Sequence, residues 1–343
     1  MNLERQVCEL VRLHWNDLHP DISKPGPLVF LKVQGKTSPN AAIIGLILDE
    51  NSRCPVAVSK IPRNPLLAPG MQHEYAAMVN LRNSITKKTI LDKITCNGSM
   101  AEVDGISILL QAAGNGHPMV REMISRKAIE ELYGKIIPWM FEFHTDGMED
   151  CLIEGDVLHD LVEKPIACFL EASSFLLGDT LSSRATQYLV DLPQKVKGKK
   201  VRLCRQHGDF NAHNVLVTFN KNRLIDFTLI DWEDYKQRQL PVFDLNHFFT
   251  SNSKLVGTGL SAEESYNQLI LREGWYRGLY RNAVAAYEGS GVISSSLFWA
   301  LTPIYFISMC LSMTEIQRDQ KNTVNTWARR LNAFIDRYSG GLE

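Results

Sequence analysis

Two neighbouring segments carry the strongest structural signal in the sequence: residues 206–217 (QHGDFNAHNVLV) and residues 229–233 (LIDWE). They contain a carboxylate at Asp209, an amide at Asn214, an apolar run, a turn, a second apolar run and another carboxylate at Asp231. Apolar runs on either side of a short polar turn predict a β-hairpin. The sequence therefore predicts a hairpin that is flanked by groups able to bind protons and metal ions.

This order of polar groups suits phosphoryl transfer. In such a reaction Asp209 would accept the proton of a hydroxyl group, while Asn214 and Asp231 would hold Mg²⁺ against the phosphates of ATP. Mg²⁺ prefers hard oxygen ligands and is often bound by one or two carboxylates together with phosphates and water. We therefore predict Asp209 as the catalytic residue and Asn214 and Asp231 as metal ligands.

The same residues resemble the signature of a known family. His207-Gly-Asp209-x-x-x-x-Asn214, followed by residues 230–233 (IDWE), is similar to the motifs of the aminoglycoside phosphotransferase and choline kinase group. That group shares the protein-kinase fold, and its two motifs take the places of H-R-D-x-x-x-x-N and D-F-G. The resemblance implies a bilobal α+β fold, with a small β-rich N-terminal lobe, a larger and mainly helical C-terminal lobe, and ATP held between them.

The resemblance extends upstream and downstream of these motifs. Residues 56–60 (VAVSK) look like the third-strand lysine segment of the family, in which Lys60 would contact the α and β phosphates. Glu74, in the helix that follows, would pair with Lys60 and hold it in place. Residues 241–245 (PVFDL) are similar to the family's P-x-x-D-L, so Asp244 would support the backbone of the catalytic loop rather than react.

The predicted phosphate-contacting turn departs from the protein-kinase pattern. Residues 35–40 have one glycine in place of G-x-G-x-x-G, although a small polar tip is also usual in this family. We expect Thr37 and Ser38 to contribute to phosphate binding there, together with backbone N–H groups. The backbone near residues 110–113 would bind the adenine.

Apolar runs and turn residues define the smaller lobe. A helix is expected over residues 73–81, and strands are expected at residues 28–33, 41–48, 55–60, 90–94 and 106–110. Residues 111–118 (QAAGNGHP) are small and flexible in character and form the candidate hinge. The predicted domains are therefore residues 1–112, a nucleotide-binding lobe, and residues 113–343, a helical lobe with catalytic and acceptor-binding residues.

Composition argues against several classes of protein. The sequence has 37 Lys and Arg residues against 38 Asp and Glu residues, so no global field attracts nucleic acid or an anionic membrane. Seven dispersed cysteines without a C-x-x-C pair predict reduced thiols in a cytoplasmic protein. The uncharged stretch between Glu288 and Glu315 contains Pro303 and is expected to be a core element rather than a membrane span. No pattern indicates an obligate protein partner.

The expected reaction transfers the γ-phosphoryl group of MgATP to a hydroxyl of a small molecule, such as a sugar, an aminoglycoside or an amino alcohol. The sequence does not distinguish among these acceptors. Residues 146–156 (DGMEDCLIEGD) carry five acidic residues that would suit a cationic acceptor, although a solvated connector is the simpler interpretation.

Two rival functions remain open at this point. One is a catalytically silent nucleotide-binding scaffold of the same fold, against which the complete set of kinase-like residues argues. The other is a metal-dependent hydrolase, with a transition metal bound by His207, Asp209, His213 and Asp231. A hydrolase would leave Lys60 without a role.

Overall fold

The computed structural model describes residues 3–23, 25–33, 42–64, 68–176, 181–220, 223–316 and 321–338. Helix accounts for 54% and strand for 21%, which confirms the predicted α+β class. The chain divides into two compact units. The first comprises Met1–Met119 and His213–Tyr235, and the second comprises Val120–Ala212 and Lys236–Glu343.

The secondary structure elements are numbered in chain order. The strands are β1 (Leu28–Val33), β2 (Ile43–Asp49), β3 (Pro55–Ile61), β4 (Gly98–Val103), β5 (Ile106–Ala112), β6 (His117–Pro118), β7 (Glu149–Leu152), β8 (Lys200–Gln206), β9 (Val215–Asn220), β10 (Arg223–Leu229) and β11 (Lys236–Gln239). The helices are α1 (Leu3–Leu13), α2 (Trp15–Leu18), α3 (Ala68–Ser84), α4 (Lys88–Leu91), α5 (Arg126–Thr145), α6 (Gly155–Leu158), α7 (Lys164–Leu176), α8 (Ser183–Val196), α9 (Phe243–Val256), α10 (Ala262–Tyr266), α11 (Trp275–Gly289), α12 (Ser295–Ile316) and α13 (Lys321–Tyr338). A 3₁₀ turn spans Met119–Glu122, and π-helical turns span His159–Glu163 and Asn267–Leu271.

The main sheet of the first unit is antiparallel and has the strand order β1-β2-β3-β5-β4. Side chains alternate between the two faces of a strand. On β3, Ala57 and Ile61 belong to a core that α1 and α2 close with residues such as Val11 and Trp15. Lys60 lies on the opposite face of the sheet, which leaves its ammonium group available for polar partners.

One predicted strand is wrong. The strand predicted at residues 90–94 does not form, because α4 ends at Leu91 and Gly98–Val103 supplies the fourth strand. Ile90 and Ile94 are both buried, and this four-residue spacing suits a helical turn rather than the two-residue period of a strand. An ion pair of 2.8 Å between Lys88 and Asp92 has the same helical spacing.

The hairpin of β9 and β10 is grouped with the first unit. It forms a second sheet of order β10-β9-β6, and a parallel bridge joins Leu229 to Ile94. The N–H of Leu229 donates to the Lys93 carbonyl at 2.7 Å, and the Leu229 carbonyl accepts from Thr95 N–H at 3.1 Å. The boundary predicted at residue 112 assigns this hairpin to the helical lobe, and that boundary stays a prediction.

The second unit is mainly helical. It contains a short sheet of order β11-β8-β7. Its core is rich in aromatic side chains, and the buried ring of Tyr133 on α5 contacts both Phe248 and Phe249 on α9. Because α9 is buried along most of its length, its polar side chains face protein groups rather than solvent.

Among the described residues, helix α12 alone combines the length and the apolar composition of a membrane-spanning helix. Its window Ser295–Ser312 is long and apolar enough to cross a membrane, and 56% of that window is buried in the structure. Core helices of water-soluble proteins share this composition. That α12 is a core helix rather than a membrane span stays a prediction.

Gly45 and Gly134 differ in the space available for an added side chain. At Gly45 on β2, an added Cβ would overlap the Phe30 ring and lie 2.6 Å from Ser59 Oγ, whereas at Gly134 on α5 it would meet no atom within 4 Å outside its own helix backbone. We expect Gly45→Ala to lower the free energy of unfolding by about 1–3 kcal/mol through overpacking. Gly134→Ala should raise it by up to about 1 kcal/mol through helix propensity. Urea unfolding measures both, and a Gly45→Ala variant as stable as the wild type would contradict the packing of β2.

Candidate active site

Lys60 is held by two carboxylates. Its Nζ donates to both oxygens of Glu74, at 2.8 and 2.7 Å, and to Oδ1 of Asp231 at 2.5 Å. Burial alone would lower the pKa of Lys60, but the charges of Asp231 and Glu74 outweigh it and raise this pKa above its ordinary value. Lys60 therefore stays protonated at physiological pH and provides a fixed positive charge.

Glu74 reaches Lys60 from α3, which contains the predicted helix of residues 73–81. Its side chain is 1% exposed, so both of its oxygens need partners within the protein. Gln111 on β5 supplies one of them, because its Nε2 donates to Glu74 Oε1 at 2.6 Å. Gln111 is itself buried, and it therefore helps to hold Glu74 in the orientation that binds Lys60.

Asp231 follows the last residues of β10 in a strained conformation. Its φ of 70° lies in the left-handed region, which costs a non-glycine residue on the order of 1 kcal/mol. The preceding residue, Ile230, donates its N–H to the carbonyl of Asn214 at 3.0 Å. This bond sets the two predicted metal ligands, Asn214 and Asp231, on adjacent backbone segments.

A third carboxylate joins this group. Within the part of the chain that the structure describes, Glu74, Asp231 and Glu233 form a group in which one ligand oxygen of each lies within 4.8 Å of the others. Oxygen donors of this kind suit Mg²⁺. Asn214 is buried immediately before β9 and could add an amide oxygen. The donor chemistry therefore fits the predicted magnesium site.

The pKa of Glu233 is raised to about 7. The largest cause is partial desolvation of its carboxyl group, although the residue retains exposed surface, and the next is the negative charge of Asp231. The charge of Lys60 opposes both effects. Near neutral pH this carboxyl group is consequently close to its point of half-protonation.

The second unit contains the loop that carries Asp209. Asp244, at the start of α9, accepts hydrogen bonds from the N–H groups of His207 at 2.7 Å and Gly208 at 2.8 Å. Its Oδ2 also lies 2.9 Å from Nε2 of His144. Burial would raise the pKa of Asp244, but the hydrogen bond and charge of His144 lower it. Asp244 thus supports the loop backbone as a charged acceptor, as the sequence predicts.

Asp209 lies within this supported loop. Its Oδ1 accepts from Asn211 Nδ2 at 2.8 Å and lies 2.8 Å from His247 Nε2. Burial would raise the pKa of Asp209, but hydrogen bonding and charge from His247 lower it below its ordinary value. Asp209 is therefore ionised at neutral pH, and the buried ring of Phe210 packs beside it against Phe248.

The structure brings part of the predicted site together. Lys60, Glu74 and Asp231 are in direct contact, and Asn214 lies on the adjoining backbone of the same unit. Asp209 belongs to the second unit. Thr37 and Ser38 lie outside the described residues, so their predicted phosphate contacts stay predictions.

Three residues were not singled out as site residues from the sequence: Gln111, Glu233 and His247. Gln111 is the first residue of the predicted hinge, and His247 lies outside the predicted motifs. The sequence does indicate Glu233 as a candidate, because this residue is part of the IDWE segment, two residues after Asp231. The contacts of the other two depend on strand register and helix packing.

The acidic segment of residues 146–156 is engaged by arginines. Ion pairs join Asp146 to Arg205 at 2.5 Å, Glu149 to Arg238 at 2.8 Å, and Asp150 to Arg202 at 2.7 Å. These arginines offset much of the negative charge of the segment. The arrangement favours the structural interpretation of this segment over a site for a cationic acceptor.

The chain is similar to one protein family and to several solved structures. Residues 171–258 match the model of the phosphotransferase enzyme family. A candidate aminoglycoside phosphotransferase from Ralstonia eutropha JMP134 is 14% identical, with a TM-score of 0.56, and the similarity covers 99% of each chain. A thermostable mutant of aminoglycoside phosphotransferase APH(4)-Ia, in its apo form, is 13% identical with a TM-score of 0.57, over 97% of this chain and 100% of the other. A search of curated protein sequences finds no match.

The GDP complex of aminoglycoside 2'-phosphotransferase-IIIa is a further structural neighbour. It is 13% identical with a TM-score of 0.52, and the similarity covers 98% of this chain and 99% of the other. The neighbours show the kinase-like fold. The family match over residues 171–258 agrees with the predicted resemblance and supports a phosphotransferase.

The role of Gln111 can be tested by removing its amide. We expect Gln111→Leu to weaken MgATP binding roughly tenfold, because Glu74 loses a buried hydrogen-bond donor and holds Lys60 less firmly. Calorimetric titration measures the affinity, and thermal unfolding checks that the fold persists. Gln6→Leu, on α1, is the matched control. Wild-type affinity in a folded Gln111→Leu variant would contradict this role.

The raised pKa of Glu233 predicts a pH dependence of stability. A carboxyl group whose pKa is higher in the folded protein stabilises it at low pH, and this contribution is lost as the pH rises through about 7. We therefore expect Glu233→Gln to flatten the decline in unfolding free energy between pH 5 and 8. Solvent screening reduces the size of the effect, so the comparison is between slopes in urea unfolding without Mg²⁺. An unchanged slope would contradict the environment described for Glu233.

Proposed function

We propose that the protein is an ATP- and Mg²⁺-dependent phosphotransferase that transfers the γ-phosphoryl group to a hydroxyl of a small molecule. The observation that carries this proposal is the contact of Lys60 with Glu74 and Asp231, beside a third carboxylate at Glu233. A fixed ammonium group next to several oxygen ligands suits a metal-bound polyphosphate.

The charges of this group favour a divalent cation. Three carboxylates against one ammonium group leave a formal charge of −2 when all are ionised, since −3 and +1 sum to −2. Asp231 and Asn214 would hold Mg²⁺, and Glu233 is placed to add an oxygen. A bound Mg²⁺ would neutralise charge on the β and γ phosphates as the phosphoryl group is transferred.

Lys60 would contact the α and β phosphates. Glu74 restricts the position of the Lys60 ammonium group, and Gln111 restricts that of Glu74. Such positioning supports the reaction directly, because phosphoryl transfer requires little covalent chemistry from the protein and depends mainly on orientation and charge.

Asp209 would orient the acceptor hydroxyl and accept its proton. Its carboxylate is ionised at neutral pH, and the loop around it is held by Asp244. A carboxylate of lowered pKa is a weak base, so proton transfer is expected late in the reaction, when the oxygen is already bonding to phosphorus.

The two rival functions are less well supported. The group of Glu74, Asp231 and Glu233 contains no histidine, and such oxygen ligands suit Mg²⁺ better than the transition metals of most hydrolases. A catalytically silent scaffold would not require Asp209 to be held as an ionised residue. ATP consumption separates the scaffold from an enzyme.

The acceptor class is best found by a screen. APH(4)-Ia has been solved in a ternary complex with AMP-PNP and hygromycin B, so aminoglycosides belong in the screen together with sugars and amino alcohols. We propose a cytoplasmic setting, in which the seven free cysteines would remain reduced. Phosphorylated product should accumulate in step with ATP consumption for the true acceptor. Failure of every acceptor class, under conditions in which MgATP binds, would favour the scaffold.

The roles of the two aspartates can be separated. We expect Asp209→Asn to leave ATP affinity nearly unchanged and to lower kcat by about 10²- to 10⁴-fold, because Asn cannot accept the proton. Asp231→Asn should weaken Mg²⁺-dependent ATP binding as well as the rate. Calorimetry with and without Mg²⁺, combined with steady-state kinetics, measures these effects. Wild-type kcat in Asp209→Asn, or loss of ATP binding in that variant alone, would reverse the assignments.

A further inference from the structure

The polar residues Asp244, His247 and Asn252 of helix α9 contact the catalytic loop. Asp244 binds the loop backbone at its beginning, and Asn252 Oδ1 accepts from the N–H of Ala212 at 2.9 Å near its end. Between them, Nε2 of His247 lies 2.8 Å from Oδ1 of Asp209. One buried helix thus holds both the backbone of the loop and the carboxylate that it presents.

The surroundings of His247 determine which of its nitrogens carries the proton. His247 is 5% exposed, and its Nδ1 lies 3.3 Å from the hydroxyl of Tyr305 on α12. Burial raises the pKa of Tyr305 well above its ordinary value, so this phenol keeps its proton and can donate it to Nδ1. In a neutral imidazole, an accepting Nδ1 leaves the hydrogen on Nε2, which faces Asp209.

A second group also lies near Nε2. Ser251 Oγ is 3.1 Å from this nitrogen, compared with 2.8 Å for Asp209 Oδ1. Hydrogen bonds to ionised acceptors are shorter and stronger than those to neutral oxygens. The Nε2 hydrogen is therefore directed mainly toward Asp209.

We propose that His247 is a positioning residue, whose Nε2–H bond to Oδ1 fixes the Asp209 carboxylate for the reaction. This inference rests on the proposed function of Asp209. Asn211 donates to the same oxygen, but Asn211 belongs to the loop itself, whereas His247 belongs to helix α9. His247 therefore ties the reacting carboxylate to a packed element of the second unit.

The proposed transfer accounts for every bond and proton, and the protonation of His247 does not change. The acceptor O–H bond breaks and its proton passes to the Asp209 carboxylate, while the acceptor oxygen forms a bond to the γ phosphorus. The bond from the γ phosphorus to the bridging oxygen breaks, and its electron pair leaves with ADP. Asp209 then releases the proton to solvent, and His247 retains its Nε2 hydrogen throughout.

The tautomer can be measured without any acceptor. Nitrogen NMR of protein containing ¹⁵N-labelled histidine should show a protonated Nε2 and an unprotonated Nδ1 for His247, with assignment from the spectrum of His247→Gln. In Asp209→Asn, the His247 Nε2–H signal should shift, because its charged acceptor is gone. An Nε2 without a hydrogen, or a signal that does not respond to Asp209→Asn, would overturn the proposal.

Kinetics test the positioning role with the acceptor found by the screen. We expect His247→Leu to lower kcat about 10- to 100-fold and to leave the KM for ATP within about threefold. His247→Gln should recover most of the rate, because Gln retains an N–H donor near the Nε2 position. His159→Leu is the matched control, since His159 also lies beside a carboxylate, 3.5 Å from Glu163, and is exposed. Thermal unfolding confirms that each variant folds.

The outcomes distinguish the inference from the proposed function. Equal losses in His247→Gln and His247→Leu, or a raised KM for ATP with unchanged kcat, would overturn the positioning role while the phosphotransferase stands. If wild-type protein phosphorylates no acceptor, the proposed function fails, and the NMR measurement still decides whether His247 donates to Asp209.

Discussion

The pairing of the Lys60 ammonium group with two carboxylates is the constraint on which the first unit depends. A charged group removed from water costs several kcal/mol unless a partner compensates it. Glu74 and Asp231 provide this compensation from α3 and from the end of β10, so three distant parts of the sequence must meet at one point. The buried Glu74 carboxylate is also a charged group removed from water, and it needs hydrogen-bond donors of its own. Gln111 supplies one of these donors.

In the second unit, polar groups of a loop are likewise compensated by side-chain partners. A loop backbone has no regular hydrogen-bonding partners of its own, and side chains must supply them where the loop is buried. Asp244 accepts from two consecutive N–H groups of the loop, and His144 in turn contacts Asp244. The polar side chains of α9 thereby give the segment around Asp209 a defined conformation, although the segment contains neither helix nor strand at Asp209.

The fold is shared with proteins of low sequence identity. Structural neighbours that cover 97–99% of this chain have 13–14% sequence identity. Apolar cores accept many combinations of residues when volume and pattern are kept. Charged groups that pair inside the protein are replaced less easily, because removing one partner leaves the other uncompensated.

Sequence patterns predict the α+β class, the strands β1, β2, β3 and β5, the helix that carries Glu74, and the candidate site residues Lys60, Asp209, Asn214 and Asp231. These features have local patterns: alternation along a strand, helical spacing, turn residues and short motifs. The strand predicted at residues 90–94 is wrong because a short apolar run fits either a strand or a helical turn, and the burial of both Ile90 and Ile94 suits the turn.

Packing between distant segments determines the grouping of the β9–β10 hairpin and the contacts of Gln111, Glu233 and His247, so local sequence patterns do not predict them. The hairpin joins the first unit through Leu229 and Ile94, which are far apart in sequence. Gln111 reaches Glu74 because β5 pairs with β3 in one register, and His247 reaches Asp209 because α9 packs beneath the loop. Such contacts depend on register and packing between distant segments, and the periodicity of a single segment does not encode them.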